Sequence, residues 1–136
     1  MKKALSVLAL GLALAHCGGP LHFSVRGSEL SPGSDAQVTA AVDEGRHVTD
    51  VELKATNLTP VDRLIPNGKA YVVWQRKDDK TPWSRAGALA LDSDGRNGEA
   101  KLTVPETTFD LLISAEADAS AASPSGKAVF SQRVQK

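Results

Sequence analysis

The chain of 136 residues has a single cysteine, Cys17. No disulfide can close within it, so its fold must rest on burial and hydrogen bonding. It also lacks an excess of charge. Sixteen Lys and Arg balance sixteen Asp and Glu, and setting aside Lys2 and Lys3 leaves 14 basic against 16 acidic residues. That balance gives no electrostatic footprint for nucleic acid and no polybasic membrane patch. Aromatics are scarce, at 4%. Histidines are three and dispersed. With no H-x-x-x-H spacing and no cysteine pair, neither a zinc nor a copper site is expected. There is no G-x-S-x-G elbow, and no serine has a credible base in the sequence. No metal, cofactor or catalytic residue is therefore expected.

One apolar run stands out, at the start. Lys2 and Lys3 precede Ala4 to Ala15, which is interrupted only by Ser6 and Gly11. It is shorter than the roughly 20 apolar residues that cross a bilayer, and it reads as a secretory signal peptide over residues 1–16. Leu14-Ala15-His16-Cys17 resembles a lipobox, in which the cysteine becomes the lipidated first residue. His16 departs from the small residue usual there. Gly18 and Gly19 suit a short tether, residues 17–20, before the domain at 21–136. Ala13-Leu14-Ala15 offers the competing A-x-A site, whose cleavage would release a soluble secreted protein beginning at His16. The lipid reading is preferred because it gives the lone thiol a role. It places the protein in a bacterial cell envelope, held by lipid at the outer membrane or a periplasmic face.

Beyond the leader the dominant hydrophobic period is two, that of a strand with one buried face. Leu21, Phe23 and Val25 alternate with His22, Ser24 and Arg26. Similar alternation runs through Val38 to Val42, Val51 to Ala55, Ala100 to Val104 and Phe109 to Ala115. Ala70 to Gln75 is apolar on both faces, as in a central strand. Ala86 to Leu91 and Ala128 to Val134 complete the set. Turn signals separate them, including Ser31-Pro32-Gly33-Ser34, Pro66-Asn67-Gly68, Asp94-Gly95 and Asn97-Gly98. No stretch keeps a helical period. Seven or eight short strands so spaced predict one antiparallel β-sandwich of immunoglobulin-like kind, with a closed barrel as the alternative.

From Lys69 to Gly126, certain segments resemble the extracytoplasmic C-terminal domain of the anti-sigma-K factor family. They are Ala70-Tyr71-Val72-Val73-Trp74, Arg85-Ala86-Gly87-Ala88-Leu89, Asp94-Gly95, Phe109 to Glu116 and Ser123-Pro124-Ser125-Gly126. The resemblance implies an immunoglobulin-like sandwich on the outer side of a membrane. It implies no sigma-factor binding, which in that family lies in a separate cytoplasmic region with no counterpart here. Tyr71 and Trp74 fall on opposite faces of one strand, so at least one should anchor the core between the sheets.

Five places bear on function. Asp92-Ser93-Asp94-Gly95-Arg96-Asn97-Gly98-Glu99 clusters oxygen ligands, but its glycine comes two positions too early for an EF-hand loop. A hairpin connection is the simpler reading. Asp78-Asp79 sits between Lys77 and Lys80 as a solvated tip. Asn57-Leu58-Thr59 matches a glycosylation sequon, but Pro60 follows and the leader looks bacterial. Two loops remain as candidate binding surfaces: Leu58 to Lys69, with Leu64 and Ile65, and Arg76 to Arg85, with Trp83 and Arg85. Aromatic and arginine side chains on loops favour recognition; the alternative is that they plug the open ends of the sandwich. The expectation is a non-enzymatic envelope lipoprotein that meets a membrane through its lipid and an unknown envelope protein through its domain, without nucleic acid. The second expectation is a small-ligand carrier or sensor, which would need a pocket lined by Leu64, Trp83 and Arg85.

Overall fold

A computed structural model describes residues 19–136; the leader, His16, Cys17 and Gly18 lie outside the described residues. The elements are β1 (Leu21–Arg26), β2 (Asp35–Asp43), β3 (Val48–Thr56), a one-turn α1 (Val61–Leu64), β4 (Ala70–Arg76), β5 (Ser84–Ala88), β6 (Ala90–Leu91), β7 (Gly98–Val104), β8 (Phe109–Glu116) and β9 (Ala128–Val134). They form two antiparallel sheets, one in the order β1-β2-β3-β7-β6 and the other β5-β4-β8-β9. The fold is a β-sandwich, and the barrel alternative is set aside.

Alternation explains which face of each strand is buried. Ala36, Val38 and Ala40 of β2, with Val51, Leu53 and Ala55 of β3 and Val104 of β7, face Phe109, Ile113 and their neighbours in the four-stranded sheet across one core. Shifting any of these strands by one residue would turn its apolar set to water, so the hydrophobic pattern fixes register. Removing one large member, as in Leu53→Ala, leaves a cavity costing about 2–5 kcal/mol.

The expected single strand Ala86 to Leu91 is instead two, which brings the count to nine among the described residues rather than seven or eight. The break falls at Leu89. Its side chain is buried in the core, and its N–H donates to the Tyr71 carbonyl of the four-stranded sheet at 2.9 Å. The next two residues pair with β7 in the other sheet. The chain thus crosses from sheet to sheet, and small Gly87 and Ala88 let it lie close to Leu102 of β7.

β4 is apolar on both faces because both are covered. Tyr71 and Val73 point into the core between the sheets, while Ala70, Val72 and Trp74 form a second cluster on the outer face, roofed by Trp83, Leu112 and Ala121. Of the two aromatics, Tyr71 is the core anchor.

Pairing also sorts the loops into two ends. Leu21 lies opposite Ala40, Arg76 opposite Asp110, and Asp110 opposite Arg133. Lys136 Nζ reaches Glu44 at 3.2 Å. The start of β1, the β2–β3 turn, the Arg76–Arg85 loop and the C-terminus therefore share one end. The β1–β2 turn, the Leu58–Lys69 loop and the Asp92–Asn97 turn share the other.

Candidate functional site

The Leu58–Lys69 loop closes the second end. Leu58 and Val61 are buried, and Leu64 and Ile65 are half-buried against the main core. Its backbone is well tied: Leu58 N–H donates to the Arg96 carbonyl at 2.8 Å, Ile65 N–H to Val61 at 3.0 Å, and Gly68 N–H to Ile65 at 2.8 Å. A side chain at Gly68 would sit 2.8 Å from the Val61 carbonyl, so only glycine fits that turn.

A hub of hydroxyls fixes the same end. Ser31 and Ser34 are buried, with their Oγ atoms hydrogen-bonded to each other. Ser31 Oγ lies within hydrogen-bond distance of Thr59 Oγ1, at 3.1 Å, and accepts from Thr59 N–H at 2.9 Å. Ser34 Oγ donates to the Asn57 carbonyl at 2.8 Å. The Tyr71 hydroxyl donates to the Thr59 carbonyl. Burial pushes the Tyr71 phenol up to about 12, since water no longer stabilises a phenolate there. These hydroxyls satisfy backbone groups that would otherwise be buried unpaired.

At the opposite end, Asp78 caps its own turn, accepting from Lys80 N–H at 3.0 Å and Thr81 Oγ1 at 2.8 Å. The Thr81 hydroxyl, then the Lys80 N–H, hold its carboxyl below the usual range. Trp83 lies on the outer face of the four-stranded sheet with the Arg76 guanidinium 4.2 Å from its ring centre. Arg76 Nε donates to Asp110 Oδ2 at 3.0 Å, and Arg133 Nη1 to Asp110 Oδ1 at 3.0 Å and the Lys77 carbonyl at 3.0 Å. Arg85 Nη1 donates to the carbonyls of Ala119 at 3.1 Å and Ala121 at 3.4 Å. Arg85 thus tethers the loop that covers the sheet.

The two candidate loops do not meet. They emerge from opposite ends of β4, about 20 Å apart at the strand rise of roughly 3.3 Å per residue. A pocket lined by Leu64, Trp83 and Arg85 is therefore not formed, and none of these, nor Ile65, lines the depressions on the described surface that border the five-stranded sheet and the β1–β2 turn.

Sequence reasoning missed one buried polar chain. Trp74 Nε1 donates to Ser114 Oγ at 2.8 Å, and Ser114 Oγ donates to Glu116 Oε2 at 2.6 Å. Ser125 N–H also donates to that oxygen, at 2.9 Å. Ser114 and Glu116 are buried although alternation put them on the wet face. The signal was present in Trp74, whose indole N–H needs a partner once buried.

The Asp92–Asn97 turn uses its own ligands. Asp92 Oδ1 accepts from Arg96 N–H at 3.0 Å and Asn97 N–H at 3.3 Å, and Oδ2 accepts from Asn97 Nδ2 at 2.8 Å. The Asn97 side chain, then its backbone N–H, hold the Asp92 carboxyl below its ordinary range. Gly95 takes φ +68°, the left-handed conformation that a tight hairpin needs. Among the described residues, no three His, Cys, Asp or Glu side chains group as metal ligands. His22 lies on the polar side of β1, 3.4 Å from Thr39 Oγ1, and His47 lies 3.9 Å from Glu106.

Comparison with protein-family models, with curated proteins and with solved structures finds no match to this chain.

Proposed function

We propose that the chain is a non-enzymatic cell-envelope lipoprotein, anchored through lipid on Cys17, whose immunoglobulin-like sandwich serves as a protein-interaction or structural module. The observation that carries the reading is the position of the lone cysteine. It follows a signal-like apolar run and precedes the first paired strand residue, Leu21, by only Gly18, Gly19 and Pro20. The organisation of the domain supports the non-enzymatic part. Its buried hydroxyls are engaged with backbone groups, with one another and, at Ser114, with the Glu116 carboxylate, while Arg76, Arg85 and Arg133 are held by carbonyls and Asp110. That leaves recognition to side chains at the rim, Trp83 foremost. The resemblance to anti-sigma-K C-terminal domains points the same way, to a sandwich outside a membrane.

Intact-mass measurement of the processed protein tests the anchor. A mature species beginning at a diacylglyceryl-modified Cys17 is expected, and Cys17→Ser should move the protein to the soluble fraction. A species beginning at His16 without acyl mass would refute the anchor. Crosslinked pull-down from envelopes tests the module, with a discrete protein partner expected.

A further inference from the structure

The five-stranded sheet ends unevenly. β6 covers only Gly98 and Glu99 of β7, while β3 pairs with β7 from Gly98 as far as Val104. On the β6 side, Ala100 to Val104 therefore has no strand beside it among the described residues. The directions of its backbone groups follow from the hairpin. Asp92 N–H donates to the Asn97 carbonyl at 2.9 Å, which marks that pair as a hydrogen-bonded one. Antiparallel pairs alternate, so Glu99, Lys101 and Thr103 aim their N–H and C=O groups at the β6 side. Glu99 meets Ala90 there; beyond it β6 has already left the sheet, and Lys101 and Thr103 present two donors and two acceptors without a partner strand.

The side chains around this edge are also incomplete. Ala100 and Leu102 pack against the core yet stay partly exposed. A shallow cavity of about 340 Å³ opens beside them, with Gly87, Ala88 and Ala90 in its lining. An open edge with an apolar inner margin is a template for another strand.

We propose that this edge pairs with the same edge of a second copy, antiparallel, with the twofold axis at Leu102. The free stretch is five residues long and centred on Leu102, so it maps onto itself under that rotation. Lys101 of each copy then exchanges both backbone hydrogen bonds with Thr103 of the other. Leu102 faces Leu102, Ala100 faces Val104, and the inner row is apolar throughout. The outer row is complementary in charge. Thr103 Oγ1 donates to Asp50 at 2.7 Å, and the second copy's Lys101 would lie beside that pair, where its ammonium reaches the Asp50 carboxylate. Sliding by two residues one way sets Lys101 against Lys101 and drives the strand into β6. Sliding the other way brings Pro105, which has no N–H, opposite Lys101. The Gly87-Ala88 edge of the other sheet lies on the same side and admits close approach. So short a ladder buries less than a standard interface, and the dimer is weak.

Leu102→Cys in the full chain tests the register. Facing residues of a non-hydrogen-bonded pair lie about 4.5 Å apart at Cα, within disulfide reach, whereas the two copies of residue 103 lie roughly 8 Å apart, beyond it. Mild oxidation at about 100 μM protein should crosslink Leu102→Cys at least tenfold faster than Thr103→Cys. Both variants also carry Cys17→Ser, so every crosslink runs through the introduced cysteine. Equal rates would overturn the pairing. Sedimentation equilibrium of the unaltered chain supplies a reading free of folding defects: mass rising towards a dimer supports the proposal, and a monomer up to about 1 mM refutes it.

Discussion

Replacing Tyr71 by Phe isolates the energetics of one end of the sandwich, because Tyr71 is the only tyrosine in the chain. Its phenol is fully buried and donates to the Thr59 carbonyl. Removing the hydroxyl leaves that carbonyl without its donor, at a cost of about 1–2 kcal/mol near neutral pH. A second effect appears only in alkali. The folded-state value is raised from 10.0 to about 12. Below pH 10 the phenol is protonated in both states, and the contribution is fully present. Between about 10 and 12 the unfolded chain loses the proton while the folded one keeps it, so stability falls as pH rises. The slope is about 1.4 kcal/mol per pH unit, or roughly 2–3 kcal/mol over the window. Urea unfolding followed by circular dichroism at pH 7, 10, 11 and 12 measures it. The quantity of interest is the difference between wild type and Tyr71→Phe, in which contributions common to both proteins cancel. That difference should shrink by about 2–3 kcal/mol across the window, enough to reverse the order of the two proteins by pH 12. Tyrosinate absorbance gives a direct check. A midpoint near 10 in protein that is still folded, or a difference unchanged by pH, would refute the burial argument.

Further tests address the turns and the anchor-free domain. Gly27→Ala drives a Cβ into the Ser31 carbonyl oxygen and to 2.9 Å from Ser34 Cβ; the β1–β2 turn must move, costing about 2 kcal/mol and lowering the melting temperature by roughly 10 °C. Millimolar calcium should leave the melting temperature unchanged, because the Asp92 oxygens already bind the N–H groups of their own turn; a rise abolished by Asp92→Ala and Asp94→Ala would contradict this.

Much of the fold was legible because alternation reports burial on one side of a strand. β1, β2, β3 and β7 follow it almost residue by residue, and the unbroken apolar run of β4 correctly marked a strand covered on both faces. The failures share a cause. Leu89 is apolar in either of two sheets, so the sequence does not show that the chain crosses there. Ser114 and Glu116 looked solvent-facing because a local pattern carries no notice of the 117–127 loop that folds over them and supplies Ser125. The candidate binding residues were read from chemistry on loops, and chemistry alone does not say what a side chain already touches. Arg85 is occupied by two carbonyls and Ile65 by the core. Trp83 retains an exposed margin beside Arg76 and remains the better recognition candidate.

The proposed anchor and the proposed pairing constrain one another. β1 begins at the end of the sandwich that carries the Arg76–Arg85 loop and the C-terminus. Gly18, Gly19 and Pro20 span at most about 11 Å, so a lipidated Cys17 keeps that end near the bilayer. A monomer so held can stand upright, with the Trp83 loop beneath it and the Pro66-Asn67-Gly68 turn at the top. The edge-paired dimer cannot. Antiparallel strands direct the two anchored ends opposite ways, and both tethers reach one membrane only if the strands run along its surface. Limited proteolysis of intact membranes separates these arrangements. Upright monomers should be cut at the Leu58–Lys69 loop while Lys77 and Lys80 stay protected until detergent is added. Flat dimers should expose both loops to a similar degree, and locking the pair by oxidation of Leu102→Cys should convert the first pattern into the second. Rapid release of the whole domain by cleavage just after Gly19 would refute both arrangements, since it would make the N-terminal segment a free tether and undock Leu21 from Ala40.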